Sequence, residues 1–300
     1  MGAPASALNY PGGHGDDDRL TAMLAAMNTA PDTASHGLGT LLREWRAARR
    51  FSQLDLALAA DISARHLSYV ETGKSQPSRE MVVRLADALT LPLRERNDLL
   101  QAAGYASQYP ETPLAAPELA RIQRAIDFII AQQEPYPAFV INRHWDIVQA
   151  NAAAARVNGF LLGGRASPHA NMLRHVFDPA DLRAALVNWE EVAGDLIHHL
   201  HNEIAAHPSD PVPRALLAEI LAHPGVPQGW RQRDPGQRPS PLLTTIFERD
   251  GQRLQFFSSI TVFAAPRDIT LDELRIECCF PMDDATAAFC RRLADEALRT

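Results

Sequence analysis

Cysteine is scarce in this 300-residue chain, which has only Cys278, Cys279 and Cys290. Three cannot form a disulfide framework, and their spacing fits no metal site. Cys278 and Cys279, adjacent in a strand, would point to opposite faces, and all three read as reduced packing residues of a cytosolic protein. Long apolar runs are missing too, all falling far short of the ~20 residues that cross a bilayer. Residues 1–36 lack the basic, apolar, then small-residue order of a secretory signal. With Gly12, Gly13, Asp16, Asp17 and Asp18 they read as a loose acidic tail, so neither export nor membrane insertion is expected. No Gly-x-Ser-x-Gly elbow, His-Glu-x-x-His pair or phosphate-binding loop occurs, and Gly12-Gly13-His14-Gly15 follows no strand. One cluster, His198, His199, His201 and Glu203, invites a metal or catalytic reading. It lacks further ligands and reads instead as solvated helix surface, so no metal and no required cofactor are expected.

What is present fits two soluble domains: 46% of residues are apolar and 22% charged. The net charge of -7 hides an uneven distribution. Residues 37–104 carry ten Lys or Arg against eight Asp or Glu, while residues 1–36 and 105–300 are acidic. A surplus of +2 is weak, so a nucleic-acid argument rests on where the arginines sit.

Residues 37–104 read as five short helices. Leu38, Leu41, Leu42 and Trp45 make the stripe of a first helix. Ser52 with Asp55 forms a capping-box pattern for a second, with Leu54, Ala57 and Leu58 assigned to its buried face. Ser63 caps a third with Leu67 and Val70 inward, closed by Gly73 in the left-handed conformation. Ser78 caps a fourth bearing Met81, Leu85 and Leu89, and Pro92 opens a fifth. Two short helices joined by a tight turn and flanked by others make a helix-turn-helix, although a generic bundle would show the same stripes.

The residues narrow this. Ser52-Gln53, and Glu71-Thr72-Gly73-Lys74-Ser75-Gln76-Pro77-Ser78 after the third helix, strongly resemble phage-repressor-like (XRE-type) helix-turn-helix regulators over residues 38–91. The resemblance implies that Gln53 holds the DNA backbone, that the loop with Lys74 (the only lysine) and Ser75 meets phosphates, and that Arg46 and Glu71 pair structurally. Base contact requires polar residues near the start of the third helix, opposite Leu67 and Val70. Ala64, Arg65, Ser68 and Tyr69 qualify, with His66 at the edge and Ser63 as cap. Arg65 leads, because a guanidinium can pair with both guanine O6 and N7.

After a proline-rich linker, 105–117, a helix from Pro117 carries Leu119, Ile122, Ile126, Ile129 and Ile130. Next come a hairpin, Ala138–Ile141 with Trp145–Ala150, and a helix capped by Asn151. A long helix is expected from Asp178 and Pro179 through Leu182, Leu186, Trp189, Ala193, Leu196, Leu200 and Ile204. A helix near 212–222, a flexible loop around Gly225 to Pro241, and three strands with a hairpin at Asp250-Gly251 precede a helix from about Asp283. The fold class is an all-α helix-turn-helix domain followed, over 118–300, by an α+β domain with an antiparallel sheet covered on one face.

Pro135-Tyr136-Pro137-Ala138, Arg143-His144-Trp145-Asp146, Asn188-Trp189-Glu190-Glu191 and Leu274-Arg275-Ile276-Glu277 before Phe280-Pro281 resemble the ligand-binding domain of MmyB-like transcriptional regulators, a PAS-like fold. The resemblance implies a ligand-sensing repressor or activator that holds an apolar small molecule, such as a fatty acid, between sheet and helices. Phe139, Trp145, Ile147, Phe177, Trp189, Ala193, Leu196, Phe247, Phe257 and Phe263 are the candidate lining or simply core, and Asn151 is a polar contact or only a helix cap. Double-stranded DNA and a second copy of the chain are the expected macromolecular partners, the dimer reading an inverted repeat. No enzymatic activity is expected; the rival reading is a small-molecule-binding enzyme, or a partner-binding module, carrying a helix-turn-helix.

Overall fold

A computed structural model describes residues 37–207, 210–232, 242, 244–264 and 266–299. The expected acidic tail and most of the expected loop before Pro241 lie outside these residues. The chain divides into two compact units, and the division falls inside a helix: Thr90–Asn97 group with Ser107 onward, whereas Asp98–Ala106 group with the residues up to Leu89.

The first unit holds α1 (Leu38–Ala48), α2 (Gln53–Ala59), α3 (Ala64–Glu71), α4 (Arg79–Ala88) and the later part of α5 (Leu93–Ala102). Local chemistry sets the junctions. Ser52 and Asp55 form the reciprocal capping box, Ser63 accepts from the His66 N–H at 3.1 Å, and Ser78 from the Met81 N–H at 3.3 Å. Gly73 closes α3 at φ 71°. One expectation needs correction: Leu54 and Leu58 are 58% and 71% exposed, and Leu56 and Ala57 face the core. On so short a helix the buried arc is narrow, so one step in phase moves the i, i+4 leucine pair outward.

α1 and α3 pack so closely that a Cβ on Gly39 would lie 2.2 Å from the Glu71 carbonyl oxygen. Backbone cannot yield as a flexible side chain can. Gly39→Ala should therefore cost the unit about 1–3 kcal/mol in overpacking. An unchanged melting temperature would contradict this approach of the two helices.

The second unit is α+β. Its α6 (Ala120–Gln132) leads into β1 (Ala138–Ile141), β2 (Ile147–Ala150), α7 (Ala152–Leu161), α8 (Met172–Phe177), α9 (Trp189–Ala206) and α10 (Val212–Ile220). Then follow β3 (Thr244–Arg249), β4 (Gln252–Thr261), α11 (Ile269–Glu273), β5 (Arg275–Pro281) and α12 (Asp284–Ala297). Hairpin and later strands join in one antiparallel five-stranded sheet, ordered β2-β1-β5-β4-β3, with β5 central. Asp250 and Gly251, both at positive φ, make the β3–β4 turn. Cys278 and Cys279 do face opposite ways, each packing into a different cluster.

Three sequence expectations change here. The sheet is covered on both faces. Ala138, Val140, Ile276 and Cys278 pack with Ile126 and Ile130 of α6, while Phe139 and Ile141 pack with α8 and α9. The long helix begins at Trp189 rather than beside Asp178, which instead ends α8. The reason is tertiary: Leu186 bridges Phe247, the Val187 N–H donates to the Ile246 carbonyl, and the Asn188 amide bonds the backbone of Thr244 and Ile246. That backbone is held extended against β3 and cannot be helical. The expected linker is also not free. The Asn97 side chain bonds the backbone of Gln108 and Tyr109, Arg94 pairs with Glu111, and Asp268 accepts from the Thr112 N–H, so the stretch from Ser107 onward and the first turn of α5 belong to the second unit.

Candidate nucleic-acid interface and ligand site

α3 is anchored from behind and open in front. Leu67 and Val70 are fully buried. Glu71, 3% exposed, receives both arms of Arg46 at 2.8 and 3.2 Å and the Gln53 amide at 2.7 Å. A carboxylate near a helix C-terminus opposes the helix dipole, and a bidentate guanidinium supplies the compensation. This is the structural pair that the resemblance implied. Gln53 shares in it, with one amide hydrogen engaged and its oxygen free of Glu71.

On the open side Arg65 and Tyr69 are exposed, and Ala64, Ser68 and His66 half-buried. The Arg65 guanidinium lies over the Tyr69 ring, 5.4 Å from its centroid, and donates to the Tyr69 hydroxyl at 3.0 and 3.1 Å. These contacts employ Nε and Nη2, so Nη1 remains for another acceptor. Ser75 stands 3.4 Å from His66 Nε2, and the Lys74 N–H donates to the Tyr69 carbonyl at 2.7 Å, which fixes the loop beside α3 while the Lys74 side chain stays exposed. Ser63 is occupied as the cap. Apart from Gln53, which starts α2, the candidates thus lie along α3 from its cap to Tyr69 and in the loop that follows it.

In the second unit the ligand candidates divide. Phe139, Trp145, Phe177, Ala193 and Leu196 are buried in one cluster between sheet and helices, with Ile147, Trp189 and Phe247 packed against it. Phe263 belongs to the opposite cluster under α6, and Phe257 stacks on Phe280 of that side, 5.1 Å between centroids. The sheet separates these two from the rest, so the ten candidates cannot line one chamber. The alternation of β4 accounts for it: Phe256 faces the side of α7 and α12, and Phe257 the side of α6.

Asn151 resolves toward its cap role. Its oxygen accepts from the Ala154 N–H (2.9 Å) and the Ala138 N–H (3.0 Å), and its amide donates to the carbonyls of Tyr136 (2.8 Å) and Ile130 (3.1 Å). Two acceptor sites and two donors are all used, which leaves nothing for a ligand. Trp189 Nε1 is likewise committed, to the Val176 carbonyl at 2.8 Å. Trp145 differs: it sits at φ 69° in the β1–β2 turn, and its buried Nε1–H has no hydrogen-bond partner. Such a donor inside an apolar cluster is a ready contact for an incoming acceptor.

The histidine cluster on α9 does not converge, nor is it simply solvated. His201 turns to the Trp230 carbonyl at 2.9 Å, His199 stands 3.4 Å from Asp195, and Glu203 pairs with Arg275 and His207. Burial pushes the Cys279 thiol up, and that of Cys290 to about 11, as suits packing residues rather than nucleophiles.

Sequence reasoning missed a buried ion network in this unit. Arg143 lies 2.7 Å from Asp210 and 3.4 Å from Glu273, His144 2.8 Å from Asp210, and His207 contacts both Glu95 and Glu203. Its members are scattered from residue 94 to 275, and no local spacing announces them.

A DNA-binding transcription regulator with a small-molecule-sensing domain is the class these two units define. Residues 122–293 match the model of the MmyB-like transcription regulator ligand binding domain, and residues 38–99 that of a helix-turn-helix domain. The chain belongs to the MmyB-like transcription regulators. No curated protein matches it.

Proposed function

We propose that this is a cytoplasmic, dimeric, sequence-specific regulator whose second unit senses an apolar small molecule, of which the fatty acid implied by its family resemblance is one form, with no required cofactor and no enzymatic step. The observation that carries the DNA reading is the exposed face of α3, where Arg65 and Tyr69 project from a helix pinned by Leu67, Val70 and the Arg46–Glu71 pair. One such helix reads a half-site, which favours a twofold dimer on an inverted repeat with half-sites about 10 base pairs, or a multiple, apart. The sensing reading is supported by the apolar cluster under α9 and the unpartnered Trp145 N–H within it. Among the described residues no helix is long and apolar enough to cross a membrane.

The test is a titration of operator DNA. Arg65→Ala should weaken the cognate site by roughly 1–3 kcal/mol and relax preference at one base position. Lys74→Ala should weaken all sequences similarly and reduce the salt slope by about one. Two chains should bind each operator. An Arg65→Ala protein with unchanged affinity and preference would remove α3 as the reading helix.

A further inference from the structure

A sheet has two outer edges, and this fold blocks both with its own chain: the Ile147 N–H at the start of β2 donates to the Ala170 carbonyl at 2.7 Å, and Leu186 to Asn188 bond to β3. A third stretch of edge is left over. β4 is paired with β3 only as far as Phe257, opposite Thr244, whereas its pairing with β5 runs on to Thr261, opposite Ile276. The Met282 N–H donates to the Gln255 carbonyl, so the odd-numbered residues of β4 turn their backbone groups toward β5, and Ile260 and Val262 turn theirs outward. Among the described residues nothing pairs with these outward groups, and the two side chains are 53% and 59% exposed.

The approach of the chain to β3 is unfit to close this edge. Leu242 lies in a bend, and carrying the register back from Thr244 sets Pro241 opposite Ile260 and Pro239 opposite Val262. Proline has no N–H to give, at the two places where the ladder needs one. Nor does the edge carry the charges that keep strands apart. From Gln255 to Pro266 the sequence is uncharged, and Phe257, Ile260, Thr261, Val262 and Phe263 favour extended backbone. A strand that pairs with its own copy about a twofold axis sets each residue near its twin, where any charge would repel, so a neutral run is what that arrangement requires.

We propose that the edge from Ile260 to Val262 is the seat of a second copy of this chain, the two β4 strands pairing antiparallel about a twofold axis at Thr261 and joining the two sheets into one. This rests on the dimer reading above and says where that dimer joins. Ile260 then faces the partner's Val262 and exchanges two hydrogen bonds with it, Val262 does the same with the partner's Ile260, and Thr261 faces its twin. The outward backbone groups are thereby satisfied, and the exposed Ile260 and Val262 side chains cover one another across the axis.

Sedimentation equilibrium of the full-length protein over a wide range of concentration tests this. Val262→Pro deletes an N–H that has no partner among the described residues, and Thr261 before it is already extended, as a residue preceding proline must be, so the fold survives while the ladder between copies breaks. The dimer dissociation constant should rise ten-fold or more, and Ile260→Lys, which brings like charges together at the axis, should do the same. Thr261→Cys reports the register. Facing residues of a non-hydrogen-bonded pair lie about 4.5 Å apart at Cα, within disulfide range, so oxidised glutathione should link this variant to its twin. Ser259→Cys, on the same face but about four residues out of register with its own twin, should stay unlinked, as should the unaltered protein, whose cysteines are buried or half-buried. A dimer that Val262→Pro and Ile260→Lys leave intact, or a Thr261→Cys variant that links no better than Ser259→Cys, would overturn the proposal and leave the dimer reading standing. If Val262→Pro unfolds the chain, the two cysteine variants decide. A chain that is monomeric throughout overturns the proposal too, and whether two chains still meet on one operator then separates that failure from failure of the dimer reading.

Discussion

Replacing Arg143 by alanine should cost the second unit about 3–5 kcal/mol, because truncating one member of a buried ion network leaves the others charged and unpaired. The Arg143 side chain is 13% exposed, and those of Asp210 and Glu95, 2.7 and 3.9 Å away, are 8% and 3% exposed. His144 would still touch Asp210 and His207 would still touch Glu95, so the loss belongs at the lower end of that range. Urea denaturation followed by tryptophan fluorescence measures it. A loss under about 1 kcal/mol would mean that these charges behave as a solvated surface group. Arg143→Lys separates charge from geometry: it keeps the cation but not the planar fork that meets Asp210 and Glu273 together, and it should recover only part of the loss.

The same network marks where sequence reading stops. Capping is local chemistry, so Ser52, Ser63, Ser78 and Asn151 could each be recognised as a cap within three or four residues of its partner, and each caps the helix expected of it, while Asp283, where the last helix is expected to begin, is that helix's cap. Period-two alternation likewise assigned Cys278 and Cys279 to opposite faces. Two kinds of feature escape such windows. One is backbone recruited by a distant strand, as at Leu186 and Val187, where an apolar stripe of helical period runs straight through residues that pair with β3. The other is charge paired over long separations: Glu95 with His207, 112 residues on, and Arg94 with Glu273, 179 residues on. Ile260 and Val262 lie in a run that composition marks only as strand, and it takes the register of β4 between β3 and β5 to show that their backbone groups are left at an edge.

The network also makes the second unit's stability depend on pH, and His207 sets the alkaline side. Burial by itself would lower its pKa, but hydrogen bonds to Glu203 and Glu95 outweigh that and raise it to about 9. Glu203 and Asp210 move the other way: burial opposes it, but His207 and Arg275 hold Glu203 at about 2, and His144, the Val212 N–H and Arg143 hold Asp210 at about 2. A base whose pKa rises on folding stabilises fully below its unfolded value, about 6.5, and loses that contribution as pH climbs through 9. Acids whose pKa falls on folding contribute above about 4 and lose it as pH drops toward 2. Stability should therefore peak near pH 5–6.5 and decline by up to about 3 kcal/mol on going to pH 9, since a tenfold change in proton affinity is worth about 1.4 kcal/mol. His207→Gln keeps a hydrogen-bonding group without the titrating charge. It should be less stable at pH 6 and nearly flat from there to pH 9, so that the two proteins converge in alkali. Urea midpoints at pH 6, 7.5 and 9 decide it: an unaltered protein that is as stable at pH 9 as at pH 6, or a variant that declines in parallel with it, would show that His207 is not held protonated between its two glutamates.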